Sequence, residues 1–329
     1  MINPDVSYFK NKVIGNNSSV EKLITSIVNS NYSGACLLKG PKGLGKSTLC
    51  RLIIKQLLNI KEDVSNENIF HPDLLIIQKD SDTKKFIPVN EIRKIPFFLS
   101  KTSINGNFRL VLIDSLSEVN IFGYNAILKS IEEYNNGIMF FLIDHMTTII
   151  PSTVKSRCKQ FIFNKLNIKD ITNLLVDIPE EDKSFYSILS NGSIGEANKL
   201  KKYNAVKIFD FICYYIFNSK EYQNQNNELK KIFSIKKNNL EIYEILYLIL
   251  YRLLYLCLRL KNGLISPYIN KQEENTANLI FKKLNYDEIF SIFNILHDNK
   301  KTTLIYNTDI YTGIYFILNN LIEKINEKK

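Results

Sequence analysis

The run Gly40-Pro41-Lys42-Gly43-Leu44-Gly45-Lys46-Ser47 satisfies the spacing G-x-x-x-x-G-K-[ST], and it narrows what the rest of the chain can be. Glycines at these places let successive backbone N–H groups turn toward one point, and a helix start just beyond adds positive potential there. Lys46 supplies a full charge, and the Ser47 hydroxyl is a hard oxygen ligand suited to Mg²⁺. The context agrees, because an apolar run (residues 35–39, ACLLK) precedes the loop and a helix-like segment, STLCRLIIKQLL, comes after it. Strand, phosphate-cradling loop and helix in that order predict ATP with Mg²⁺ as ligand, bound through Gly40, Gly43, Gly45, Lys46, Ser47 and Thr48. The alternative reading is a chance glycine-rich turn, or a loop that no longer binds. Lys42 is expected to be merely solvated.

Four more short apolar runs, residues 74–77, 109–114, 138–143 and 160–163, alternate with helix-like segments. Runs without polar alternation suit strands covered on both faces, so the first half reads as α/β with a parallel sheet. From Lys165 onward the period turns helical. Three short helices are predicted within 167–201, broken near Pro179 and the Asn191-Gly192 pair, and longer amphipathic helices over 240–260 and 310–325. The expected division is a nucleotide-binding domain over 1–165, a small three-helix lid over 166–202 and an all-α domain over 203–329. The Asn-rich stretch 223–227 reads as a loop or helix start. Ile314, Phe316 and Ile317 suit either core or a subunit contact, with core the default.

The net charge is +10, but the lysines are scattered, including Lys230, Lys231, Lys236 and Lys237 on polar faces, so no dedicated DNA-contacting patch is expected. Five widely spaced cysteines without a Cys-x-x-Cys pair suggest neither a disulfide framework nor zinc, and fit a reducing cytoplasm. The N-terminus has no apolar leader-like region. The most hydrophobic stretch, 242–260, is interrupted by Glu244, Arg252 and Arg259, so no membrane span is expected.

The run RLVLID ends in Asp114, at what would be the carboxyl edge of the sheet, where a phosphate-loop fold keeps its Mg²⁺-associated carboxylate. A simple strand-end cap is the alternative. The next residue is Ser115.

Further segments, in order, resemble the bacterial clamp-loader AAA+ family, in particular its delta prime branch. His71-Pro72-Asp73-Leu74 is similar to the family's HPDL, and Val89-Asn90-Glu91-Ile92-Arg93 to its I-x-V-x-x-I-R. Residues 125–133, NAILKSIEE, resemble NaLLKxLEEP, with Tyr134 in place of the proline. Ser156-Arg157-Cys158 matches the SRC motif, and residues 192–197, GSIGEA, resemble the lid motif G-S-x-x-x-A. The likeness covers about residues 13–201; beyond that the chain resembles the family only in being helical.

The resemblance implies an AAA+ core, a three-helix lid and a helical collar. It also implies a hetero-pentameric ring with gamma/tau and delta subunits that loads the sliding clamp onto primer–template DNA. It further implies that Arg157 is an arginine finger, stabilising in trans the charge that develops on a neighbour's γ-phosphate; a surface ion pair is the alternative. Departures from the family qualify the chain's own chemistry. AAA+ hydrolases carry Glu where this chain has Ser115, and a serine hydroxyl is far too weak a base to polarise water. The lid's sensor arginine is replaced by Gly195, with Glu196 after it. The interval 51–70 lacks the four cysteines of the family's zinc module, so zinc is not expected. Residues 144–148 lie where a polar sensor comes after the fourth strand, and His145 reads as an ordinary loop histidine. Cys158 reads as a small packed residue. The expected role is a ring subunit that holds ATP and hydrolyses it poorly; the alternatives are a gamma/tau-type motor and a small-molecule kinase.

Overall fold

A computed structural model describes residues 9, 15–60, 69–79, 86–104, 108–133, 137–218, 240–264, 267–306 and 310–327. The expectations for Tyr134, for 223–227 and for Lys230, Lys231, Lys236 and Lys237 fall outside the described residues.

The first half is a five-stranded parallel sheet: β1 (Gly34–Lys39), β2 (Leu74–Gln78), β3 (Arg109–Asp114), β4 (Ile138–Asp144) and β5 (Lys159–Ile162), in the order β2-β3-β4-β1-β5. Successive side chains of a strand point to opposite faces. Cys36 and Leu38 of β1, Leu110 and Leu112 of β3, and Met139 and Phe141 of β4 share one core with α1 (Asn17–Asn29) and α2 (Lys46–Leu57). The alternate residues Leu37, Val111, Ile113, Phe140 and Leu142 face the other way, onto α3 (Val89–Ile92), α4 (Lys94–Leu99) and α5 (Ile121–Glu133). Helices on both faces leave no wet side, which is why the strands read as unbroken apolar runs. β5, at one edge, exposes Lys159 and Gln160, and β2, at the other, exposes Gln78. Such polar side chains discourage pairing with another strand.

At the amino edge of the sheet, the HPDL segment builds a lock. Asp73 and Arg109 are both buried, with Arg109 Nη2 3.7 Å from Asp73 Oδ1. The same carboxylate oxygen accepts the Ile104 N–H at 3.1 Å, while Arg109 donates to the carbonyls of Phe98 and Thr102 and lies over the Phe98 ring. Asp73 Oδ2 and Arg109 Nε have no hydrogen-bond partner among the described residues. A pair this dry is worth little against an apolar substitute, but either charge left alone is costly.

A short helix, α6 (Ser152–Ser156), precedes β5; after the sheet come α7 (Ile168–Leu174), α8 (Glu180–Leu189) and α9 (Ile194–Lys202), and then α10 (Ala205–Phe217). Next come α11 (Leu240–Lys261), α12 (Lys271–Lys283), α13 (Tyr286–Tyr306) and α14 (Ile310–Glu327). Pro179 precedes α8 as its N-cap, and Asn191 and Gly192, both at positive φ, break the chain before α9. The chain separates into two compact units: Met1–Leu174 with Asn191–Glu196, and Leu175–Ser190 with Ala197–Lys329. In the second, Arg252, the residue that interrupts the apolar run of α11, forms a bidentate pair with the buried Glu273 of α12, at 2.6 and 3.0 Å. Ile314 and Ile317 are core, whereas Phe316 is exposed.

Among the described residues no helix is long and apolar enough to cross a membrane. Replacing Asp73 by Ala should strand the Arg109 charge and cost about 3 kcal/mol in urea unfolding. The double variant Asp73→Leu with Arg109→Met should lose less than the sum of its parts, and a strictly additive result would show that the two charges are not coupled.

Candidate nucleotide-binding site

The phosphate loop leaves β1 at Lys39 and enters α2 at Lys46, with Gly45 (φ 80°) as the N-cap of that helix. β1 lies between β4 and the edge strand β5, so the loop stands at the sheet's carboxyl edge, where ligands of open α/β sheets collect. The Gly40 N–H donates to the Asp144 carbonyl at 3.1 Å, tying the loop to the end of β4. In register, Lys39 faces Asp144 across β1 and β4, and Asp114 faces Ile143 across β3 and β4. Two carboxylates, Asp114 and Asp144, therefore stand at neighbouring strand ends beside the loop.

Lys46 is 2 % exposed, and its ammonium donates to the carbonyls of Gly40 at 2.5 Å and Pro41 at 2.6 Å. Burial brings its pKa down to about 8, against the pull of Asp144 and Asp114, which favour the charged form. A cation so placed is a ready counter-charge for a phosphate. Ser47 Oγ accepts from Arg51 Nε at 3.3 Å, and Arg51 Nη2 also holds Gln78 at the end of β2, at 2.8 Å. Ser47 and Asp114 offer the oxygen donors Mg²⁺ prefers, and a site with one or two protein oxygens completed by phosphates is normal for this ion. The residues fit that cation. Thr48 is exposed on the first turn of α2.

Ser115 is 2 % exposed, and its hydroxyl lies 2.6 Å from that of Ser117. The neighbouring loop is pinned by Tyr124, which donates to the Leu116 carbonyl at 2.7 Å, and by Thr148, which donates to the Ser117 carbonyl at 3.2 Å. The chain thus leaves Asp114 through a packed serine pair, in place of a carboxylate able to draw a proton from water.

Sequence reasoning missed His145. Its Nε2 lies 3.6 Å from Asp114 Oδ1, and its buried Nδ1 has no hydrogen-bond partner among the described residues, which sets it apart from a satisfied loop histidine. Burial, then the Lys46 charge, depress its pKa to about 4, with Asp114 opposing. The ring is neutral at physiological pH. Its position directly after a strand ending at the carboxyl edge was the available signal. The Asp144 carboxylate accepts the Met146 N–H at 2.7 Å, a turn that sets the imidazole beside the Asp114 carboxylate.

Arg157, the C-cap of α6, stands apart from this group on the surface. Its Nε pairs with Glu132 of α5, Nη1 donates to the Thr153 carbonyl at 3.1 Å, and the side chain is 41 % exposed. Cys158 is partly buried, and burial pushes its thiol up to about 12, far from a reactive thiolate.

The imidazole leads to a pH test. A histidine with its folded pKa below the ordinary 6.5 binds its proton more readily unfolded, so stability falls as pH drops from 6.5 toward about 4. Between pH 7 and pH 5 the wild type should lose about 1–2 kcal/mol more than His145→Gln in urea titrations. Equal losses would mean that the ring is not shielded as described.

A family model described as "DNA polymerase III, delta subunit" matches residues 15–167. The DNA polymerase III subunit gamma of Buchnera aphidicola subsp. Schizaphis graminum is 31% identical over 209 residues, covering 57% of this chain and 56% of that protein. The DNA polymerase III subunit delta' of Pseudomonas aeruginosa is 28% identical over 184 residues, covering 51% of this chain and 56% of that protein. The chain spans about half the length of these curated relatives. Among solved structures, a DNA polymerase III gamma subunit-related protein from Thermotoga maritima has the same fold, with a TM-score of 0.51 at 14% identity, covering 92% of this chain and 99% of that one. Over residues 15–167 the chain is thus similar to the DNA polymerase III delta-subunit family, and just over half of it is similar to curated gamma and delta' subunits of that polymerase.

Proposed function

We propose that this chain is a delta prime-like subunit of the DNA polymerase III clamp loader, one that binds ATP with Mg²⁺, hydrolyses it poorly and offers Arg157 to a neighbour's triphosphate. Its partners on this reading are gamma/tau and delta subunits in a hetero-pentameric cytoplasmic ring, acting on the sliding clamp and primer–template DNA. The domains would be the AAA+ core at 1–165, the lid at 166–202 and the collar at 203–329.

One observation carries the reading: the hydroxyl of buried Ser115, paired with Ser117, stands where hydrolysing relatives keep a carboxylate. The rest of the loop is whole, with its lysine charged below pH 8, so binding and cleavage are expected to come apart. Gly40, Gly43, Gly45, Lys46, Ser47 and Thr48 would hold the triphosphate. Ser47 and Asp114 would hold Mg²⁺, which when bound shields the charge that develops between the outer phosphates. His145, neutral and beside Asp114, can keep that carboxylate oriented without adding charge.

For Arg157, exposure supports the role in trans. The contacts with Glu132 and Thr153 fix the root of the guanidinium while the side chain remains 41 % exposed, and arginine has five donors in a rigid fork. A pre-positioned cation stabilises developing charge with little reorganisation. The second reading, a gamma/tau-type motor, draws on the intact loop and on the gamma subunit among the relatives.

Reconstituted rings separate the two readings. Rings carrying Arg157→Ala should assemble normally and lose about 10³-fold in turnover at the adjoining site, whereas Lys46→Ala should leave the ring's turnover nearly intact. Unchanged turnover with Arg157→Ala would refute the finger, and a collapse of turnover with Lys46→Ala would favour the motor.

A further inference from the structure

The turn before α9 rests directly on the phosphate loop. Ser193 Oγ donates to the Lys42 carbonyl at 3.2 Å, and the Gly195 N–H donates to the Gly43 carbonyl at 2.8 Å. The same hydroxyl accepts the Glu196 N–H at 3.2 Å, so its donor and acceptor functions are both used. On its other side the turn is fixed by the Leu166 N–H, which donates to the Gly192 carbonyl at 2.9 Å. Contact with the loop is close enough to dictate residue type. A Cβ on Gly195 would lie 2.8 Å from the Gly43 Cα, and one on Gly43 would lie 2.2 Å from Ser193 Oγ. Position 195 is thus glycine for a steric reason, independent of any sensor side chain that relatives carry there.

The geometry has an electrostatic consequence. A trans peptide is a rigid plane whose C=O and N–H point in opposite directions. Anchoring the Lys42 carbonyl to Ser193 turns the Gly43 N–H away from the turn, and anchoring the Gly43 carbonyl to Gly195 does the same for the Leu44 N–H. Successive N–H groups facing one side form an anion-binding nest.

We infer that Ser193 and Gly195 are positioning residues that brace the phosphate loop from outside, orienting the Gly43 and Leu44 N–H groups toward a triphosphate. Neither residue touches the ligand; both act through carbonyls on the far side of the loop. The inference rests on the nucleotide-binding reading above, and two readouts keep the failure of one distinct from the failure of the other.

The experiment compares the full-length wild type with Ser193→Ala, Ser193→Thr and Gly195→Ala. It measures the Kd for ATP with Mg²⁺ and the hydrogen exchange of the Gly43 and Leu44 amides, with thermal melting as the check on folding. Ser193→Ala should raise Kd about 5-fold and Gly195→Ala about 10-fold, each speeding exchange at the two amides, while Ser193→Thr, which keeps the hydroxyl, should restore both readouts. Folded variants that keep the wild-type Kd would overturn the brace, and so would unchanged exchange. If the wild type binds no ATP while the variants still speed exchange, the brace stands and the nucleotide reading falls.

Discussion

The carboxyl edge of the sheet is organised around a buried ammonium. Taking a lysine out of water costs several kcal/mol unless its charge is met, and Lys46 is met by two carbonyls of its own loop and by the fields of Asp114 and Asp144. The arrangement is a product of topology. The parallel order β2-β3-β4-β1-β5 puts the end of β4 next to the loop that leaves β1, with the end of β3 one strand further on. Burial still holds the Lys46 pKa below its ordinary value, and an anion beside the ammonium would favour its charged form.

The two edges of the sheet divide their tasks. At the amino edge, Asp73 and Arg109 hold the segment after α4 by a buried pair with no role in the loop's chemistry. At the carboxyl edge, polar groups sit close together, one of them, His145 Nδ1, without a partner among the described residues. HPDL is thus a structural device, although sequence likeness alone makes it a family marker like any other.

The sheet is legible in the sequence because strands covered on both faces cannot hide: residues 109–114 and 138–143 admit little else. The loop is legible because cradling a phosphate constrains both spacing and residue type. His145 is not, since a lone histidine after a strand has no spacing to distinguish it, and its meaning comes from a β3–β4 register that only folding creates. Gly195 reads in sequence as a lost sensor position, whereas the close approach to Gly43, 152 residues earlier in the chain, sets it. Arg252 looks like a break in an apolar helix, and its partner Glu273 lies on the next one. In each case the missing information is a long-range neighbour.

On the proposed reading the site holds a triphosphate that it hydrolyses poorly, because the buried Ser115 hydroxyl, paired with Ser117, is too weak a base to draw a proton from water. The most direct test is to incubate the isolated chain with radiolabelled ATP and Mg²⁺, recover the bound nucleotide at intervals and resolve it. Intact ATP over many minutes, at close to one per chain, is the expected result. Bound ADP accumulating within seconds would contradict it.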